Sequence, residues 1–145
     1  MKREHVRPLA ICVFRNEGRI LVAEGYGPSE NQVYYRPLGG TIMLGEYSAN
    51  AVVREIKEEL NAEITDLRLL GVLENIFTFA GELGHEIVMV YDAQFSDQSF
   101  CEHEEFQGVE DMNEPFRAIW KSLDFFHSGS PPLYPDGLLE LLMKE

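Results

Sequence analysis

Three glutamates and an arginine stand close together in the segment Arg54-Glu55-Ile56-Lys57-Glu58-Glu59. On a helix, neighbouring carboxylates repel one another by roughly a few tenths of a kcal/mol per pair. A hard divalent cation such as Mg²⁺ prefers carboxylate oxygens and would relieve that repulsion. For this string alone a solvated acidic helix face is the commoner explanation, so the metal site needs support from the residues around it.

A helix is predicted over residues 48–60, because this segment lacks Gly and Pro and is rich in Ala, Glu, Val and Leu. At about 100° per residue, Arg54, Glu55, Glu58 and Glu59 share one face. An apolar stripe on another face would dock the helix on a sheet; its members are Ala49, Val52, Val53, Ile56 and Leu60. We therefore expect the acidic face to point away from the core.

Two glycines, Gly39 and Gly40, precede this helix and allow the backbone to approach a ligand, to which their carbonyl oxygens could contribute. Together the glycines and the helix resemble the Nudix box of the Nudix (MutT-like) hydrolases. The matching positions are Gly40, Glu46, Arg54, Glu55, Ile56, Glu58 and Glu59. Two positions depart from the family pattern, Asn61 in place of a Gly and Ala62 in place of a bulky aliphatic residue. Asn is the next most tolerant residue for the left-handed conformation expected at that helix end.

The resemblance implies a hydrolase that cleaves a diphosphate linkage in a nucleoside diphosphate derivative with the help of divalent cations and an activated water. The implied ligands of Mg²⁺, or alternatively Mn²⁺, are Glu55, Glu58, Glu59 and Gly39. The implied catalytic residues are Glu55, Arg54 and Glu58, with Glu55 as a further metal ligand or as the base, and with Arg54 orienting a glutamate. Two alternatives stay open: a nucleoside triphosphate pyrophosphohydrolase of the house-cleaning type, and a non-catalytic binding domain of the same fold.

Other residues are candidates for substrate contacts. Among the arginines Arg15, Arg19 and Arg36 we favour Arg36, because it lies just before the glycine turn. The resemblance also implies an additional acidic ligand in a later loop, for which the acidic run 102–105 contains Glu104, with a solvated charge run as the alternative. Aromatic side chains could stack on a base; the candidates are Tyr26, Tyr34, Tyr35, Phe79 and Trp120, the last more consistent with the core.

The elements predicted around the box are mostly strands joined as hairpins. A first hairpin, a loop that runs to Pro37, the box helix, a second hairpin, one short strand and a final helix follow one another. The predicted strands span 9–14, 20–23, 67–79, 86–95 and 116–120, and the predicted final helix has Pro135 at its first position and continues through 138–142. This order indicates an α+β class with a mixed sheet, and the resemblance implies a Nudix fold, an α/β/α sandwich with the sheet between helices.

Composition limits the partners. The chain has 145 residues, 45% of them hydrophobic, and no linker divides it, so we expect one domain over 1–145. Its net charge of -13 argues against nucleic acid and against an anionic membrane surface. Two cysteines do not suggest disulfides, and no apolar run approaches about 20 residues, so a cytoplasmic protein is expected. The exposed edge of a small mixed sheet makes a homodimer plausible.

Overall fold

Alternate residues of the first strand, β1 (Arg7–Asn16), enter two different cores. Ala10, Cys12 and Phe14 pack in the core that contains the long helix α1 (Ser48–Leu60). Ile11 and Val13 pack in the other core, with the short helix α2 (Leu138–Met143). Because successive side chains of a strand point to opposite faces, the sheet lies between the two helices. The computed structural model, which describes residues 5–28 and 32–144, thus confirms the α/β/α sandwich.

The other strands are β2 (Arg19–Tyr26), β3 (Val33–Arg36), β4 (Leu38–Thr41), β5 (Ile64–Phe79), β6 (Glu82–Phe95), β7 (Glu105–Val109) and β8 (Pro115–Ser122). Within the described residues they form one eight-stranded sheet in the order β5-β6-β1-β2-β8-β7, with β4 paired to β1 and β3 paired to β2. β1 and β6 run parallel and the other pairs antiparallel, as a mixed sheet requires.

The sheet divides where β1 and β2 separate. These two strands pair at Arg15 and Asn16 next to their hairpin turn, and farther along each takes a different partner. The chain crosses from β3 to β4 at Pro37, which lacks a backbone donor and so breaks the ladder there. The predicted continuous loop up to Pro37 is therefore wrong, since it contains β3. This crossing brings Arg36 and the Gly39-Gly40 pair to the split in the sheet.

Helix α1 has the predicted bounds and the predicted end. Asn61 follows it in the left-handed conformation (φ 54°, ψ 39°), and its amide donates to the Lys57 carbonyl at 2.9 Å. Val52 and Ile56 are buried, as the apolar stripe requires, whereas Val53 at the margin of the stripe is exposed. The residue that replaces the usual helix-ending glycine thus adopts the glycine's conformation.

The second hairpin is longer than predicted, because β5 begins at Ile64 instead of residue 67 and β6 begins at Glu82 instead of residue 86, directly after a turn at Ala80 and Gly81. Gly84 lies inside β6, where the ring of Phe77 covers it and leaves no room for a side chain. Trp120 is buried in β8, and its indole donates to the Phe100 carbonyl at 3.0 Å, which confirms its core position. None of the helices in the described part of the chain is long and apolar enough to cross a membrane.

Candidate active site

Arg54 of α1 connects the acidic residues of the box. Its Nε and Nη2 donate to the two carboxylate oxygens of Glu46, at 2.8 and 3.0 Å. Its Nη1 donates to Glu55 at 3.0 Å and to Glu58 at 3.2 Å. Nη2 also donates to the carbonyl of Thr41, the last residue of β4, at 3.0 Å. One guanidinium thus fixes the positions of three carboxylates relative to β4, the strand that carries Gly39 and Gly40.

Glu46 supports this cluster as a carboxylate that is ionised at neutral pH. Hydrogen bonds from Arg54, and then from the Met43 amide, lower the pKa of Glu46 to about 2. The hydrogen bonds that Arg54 donates to Glu46 are also the largest cause that raises the pKa of Arg54 above its usual range. Glu46 therefore anchors Arg54 and leaves the remaining guanidinium nitrogen for Glu55 and Glu58.

Glu59 does not follow the expected orientation of the acidic face. Its side chain is buried, with only 9% of the residue exposed, and its Oε1 accepts a hydrogen bond from the Gly39 amide at 3.1 Å. Burial, and next the charge of Glu55, raise the pKa of Glu59 to about 8. The expectation that the whole acidic face points away from the core is thus wrong for Glu59, because the strand under it carries glycines.

Both glycines are needed for this close packing. Gly39 has φ 148°, and a Cβ there would overlap the carbonyl oxygen of Ala10 on β1. At Gly40 a Cβ would overlap the carboxylate of Glu55. The absence of side chains on β4 therefore lets the carboxylates of α1 approach the strand backbone.

The donor chemistry of this cluster fits a divalent cation. Glu59 is a buried carboxyl beside Glu55, and a cation would offset both the cost of burial and the mutual repulsion of the two groups. Among the described residues, no three Asp, Glu, His or Cys side chains are arranged to hold an ion. Glu58, whose side chain is 52% exposed, is the member with most room to reorient.

A cavity of about 1610 Å³ opens beside the cluster. Glu55, Glu58 and Glu59 all contribute to its wall. Arg36 also lines it, and its Nη2 lies 2.9 Å from Glu110 in the turn between β7 and β8. The predicted metal-binding helix and the predicted substrate arginine therefore face one cavity.

Aromatic rings form a second group in the cavity wall. Tyr34 and Phe79 pack edge to face with ring centroids 6.4 Å apart, and Tyr34 and Tyr134 lie 5.8 Å apart. Tyr35 is buried, and its hydroxyl donates to Glu24 at 2.7 Å. Of the predicted stacking residues, Tyr34 and Phe79 thus have ring neighbours in the cavity, whereas the buried Trp120 is not part of its described lining.

Glu104 is not part of the described cavity wall, and its role as an additional acidic ligand stays a prediction. Glu104 lies just before β7, the last strand at this edge of the sheet, whereas Val109 at the other end of β7 and Glu110 in the turn after it line the cavity. Glu110 in that turn was missed, because no sequence spacing links it to Arg36. Arg15 and Arg19 also lie outside the described cavity wall, whereas Arg7, not singled out from the sequence, is part of it.

Comparisons with known proteins agree with this geometry. The family model of the NUDIX domain matches residues 4–135. A MutT NUDIX hydrolase from Burkholderia pseudomallei is 27% identical, covers 83% of this chain and 86% of its own, and superposes with a TM-score of 0.61. No curated protein matches the sequence.

Two more distant structures share the fold. A NUDIX-family hydrolase from Clostridium perfringens, 16% identical, has a TM-score of 0.62 over 97% of this chain and 99% of its own. A NUDIX hydrolase from Nitrosomonas europaea, 15% identical, has a TM-score of 0.66 over 96% of this chain and 87% of its own. The family match spans most of the chain and includes every charged position of the box, so this protein belongs to the Nudix family.

Proposed function

We propose that this protein is a divalent-cation-dependent hydrolase that cleaves the diphosphate linkage of a nucleoside diphosphate derivative. The observation that carries this proposal is the position of Arg54, which holds Glu46, Glu55 and Glu58 together beside a large cavity. A merely solvated acidic face would not contain a buried glutamate, whereas Glu59 is buried against Gly39 of β4. The family match supports the general reaction class.

In this proposal Glu55, Glu58 and Glu59 hold Mg²⁺, or Mn²⁺ in its place, and the Gly39 carbonyl is a further candidate oxygen ligand. The bound cation would supply positive charge that offsets both the carboxylates and the diphosphate. Glu55 is a further ligand or the group that takes the proton from the attacking water. Arg54 keeps Glu55 and Glu58 in place through its hydrogen bonds.

The cavity wall supports a nucleotide-type substrate. Arg36 offers a guanidinium to phosphate or ribose oxygens once it leaves Glu110. The rings of Tyr34, Phe79 and Tyr134 offer apolar faces for a planar base. A small molecule with a charged phosphate chain and an aromatic end matches both parts of the wall, whereas the net charge of -13 opposes a nucleic-acid partner.

Two other functions remain as alternatives. A nucleoside triphosphate pyrophosphohydrolase would use the same carboxylates but release pyrophosphate and a nucleoside monophosphate. A non-catalytic binding domain would keep the cavity without turnover, yet the charged residues of the box are all in place here. The identity of the products separates the first alternative from the proposal, and the absence of turnover would indicate the second.

The test is a substrate panel in Mg²⁺ and in Mn²⁺ with every product identified. The panel contains ADP-ribose, nucleotide sugars, dinucleoside polyphosphates and the nucleoside triphosphates. We expect turnover of a nucleoside diphosphate derivative into a nucleoside monophosphate and a phosphorylated second product, and loss of that turnover with EDTA. Turnover that is unchanged by EDTA, or no turnover of any compound, would contradict the proposal.

A further inference from the structure

Three arginines supply the positive charge of the described cavity wall, and they differ in how firmly they are held. Arg54 donates to three carboxylates, and Arg36 pairs with Glu110 at 2.9 Å. Arg7 makes longer contacts, 3.4 Å to Glu86 and 3.3 Å to the Thr41 hydroxyl. These lie beyond the usual range of about 2.7–3.2 Å for N–H···O bonds, so Arg7 is the lining cation whose contacts are most easily exchanged.

Arg7 lies next to the carboxylate cluster. Its Nη2 contacts the hydroxyl of Thr41, and the carbonyl of the same Thr41 accepts from Arg54 at 3.0 Å. The start of β1 is tied to this region because the Ile42 amide donates to the Pro8 carbonyl at 2.9 Å. The backbone thus places the Arg7 guanidinium close to where the substrate's phosphates would meet the box.

Arg7 also stands at the end of a chain of polar contacts that runs through Glu86 to Asn75. The carboxylate of Glu86 accepts from Arg7 through one oxygen and from the amide of Asn75, at 3.4 Å, through the other. Asn75 is buried, and its oxygen accepts from the Asp136 amide at 3.3 Å. Glu86 therefore connects Arg7 to a buried side chain, and its carboxylate is the anionic group that a ligand would have to displace from Arg7.

From this arrangement we infer that Arg7 binds a phosphate group of the substrate, and the inference rests on the proposed function. A guanidinium offers two parallel donors to a phosphate, and such charge-assisted bonds are shorter and stronger than the present contacts. On binding, the phosphate replaces the Thr41 hydroxyl and competes with Glu86 for Arg7. Arg36 and Arg7 then hold the phosphate chain from two separate points of the wall.

The competing explanation is structural, because Arg7 and Glu86 are also directly paired residues of the parallel strands β1 and β6. The chain offers a matched control for this possibility. Arg15 lies on the same strand, contacts Asp92 of β6 at 3.4 Å, and has a side chain 29% exposed against 33% for Arg7. It lies outside the described cavity wall, so a strand-pairing role predicts similar behaviour of the two arginines.

The experiment compares binding of ADP, GDP, CDP and UDP with binding of the corresponding nucleosides in Mg²⁺, by calorimetry on the whole chain. The readout is the diphosphate-over-nucleoside affinity ratio for the base that binds most tightly. We expect Arg7→Ala to lower this ratio about tenfold, Arg7→Lys to restore part of it, and Arg15→Ala to leave it unchanged. An unchanged ratio in Arg7→Ala, or an equal fall in Arg15→Ala, would overturn the inference.

Glu86→Gln provides a second test that does not depend on the stability of the Arg7 variants. It keeps Arg7 and removes the anionic competitor, so the diphosphate-over-nucleoside affinity ratio should rise about threefold; a fall would count against the inference.

The experiments distinguish failure of this inference from failure of the proposed function. If the wild type turns over no panel compound but its ratio depends on Arg7, the function fails and the phosphate site holds. If turnover occurs and the affinity ratio is the same in wild type and Arg7→Ala, only the assignment of Arg7 to phosphate binding is wrong.

Discussion

The Gly39 amide donates a hydrogen bond to the Glu59 carboxylate at 3.1 Å, which joins β4 to the last turn of α1 in the interior of the protein. The buried Glu59 side chain thus has one backbone donor, while burial, and next the charge of Glu55, still raise its pKa. This buried contact distinguishes the Glu59 side of α1 from an ordinary solvated helix face.

Gly40→Ala tests the close approach of β4 to the helix. A methyl group there would overlap the Glu55 carboxylate, so the substitution should displace Glu55 and lower turnover by about tenfold or more, since small misplacements at reacting groups are costly. Gly71→Ala is the control, because its methyl group would meet only the flexible Leu141 side chain at 3.2 Å. Steady-state kinetics on the substrate found in the panel measure both; full activity of Gly40→Ala would refute this account of the glycine.

The pKa of Glu46, about 2 in the folded protein, predicts a pH-dependent contribution to stability. Because the folded-state pKa lies below the ordinary value of 4.5, the contribution is complete above that value and declines as the pH falls toward about 2. The difference in unfolding free energy between wild type and Glu46→Gln should therefore shrink on acidification. Urea unfolding between about pH 3 and pH 6 measures it, and a constant difference would contradict the assigned role of Arg54.

Asn61→Gly should be neutral or stabilising by up to about 1 kcal/mol, because glycine adopts the observed left-handed conformation without strain at Cβ. Asn61→Ala, which also removes the side chain but keeps Cβ, should be destabilising by about 1 kcal/mol. Thermal melts compare the three proteins. A loss of more than about 1 kcal/mol in Asn61→Gly would show that the Asn side chain makes a contribution of its own.

Arg36→Ala should raise KM about tenfold and leave kcat nearly unchanged, since Arg36 lies on the cavity wall and not among the box carboxylates. Arg19→Ala serves as the control, because Arg19 is outside the described wall. The kinetic constants of both variants are measured on the same substrate. A fall in kcat at constant KM would mean that Arg36 acts on the transition state instead.

The sequence predicts the fold well where the signals are local. The bounds of α1, the left-handed Asn61 and the buried Trp120 all follow from propensity, spacing and hydrophobicity. The sequence does not predict strand β3, because the four residues before Pro37 carry little hydrophobic alternation of their own and form a strand only by pairing with β2. The single domain over 1–145 stays a prediction.

The candidate site is harder to predict, because its parts come from distant segments. The box residues are visible as a pattern, but the burial of Glu59 depends on which strand lies beneath it. Glu110 reaches Arg36 only through the turn between β7 and β8, and Arg7 meets Glu86 only through the parallel pairing of β1 and β6. No spacing in the chain marks these contacts, so the sequence alone does not single out Glu110 or Arg7.

The most direct test of the central claim, that the carboxylates of α1 form a cation site, is the Mg²⁺-induced shift in the melting temperature of Glu58→Gln. Glu63→Gln is the matched control, because Glu63 follows the same helix and pairs with Lys57 on the exposed surface at 2.9 Å. Preferential binding of Mg²⁺ to the folded state should stabilise the wild type and Glu63→Gln equally, and Glu58→Gln much less. Equal shifts in all three proteins, with turnover retained in Glu58→Gln, would contradict the claim and leave the helix with an ordinary solvated acidic face.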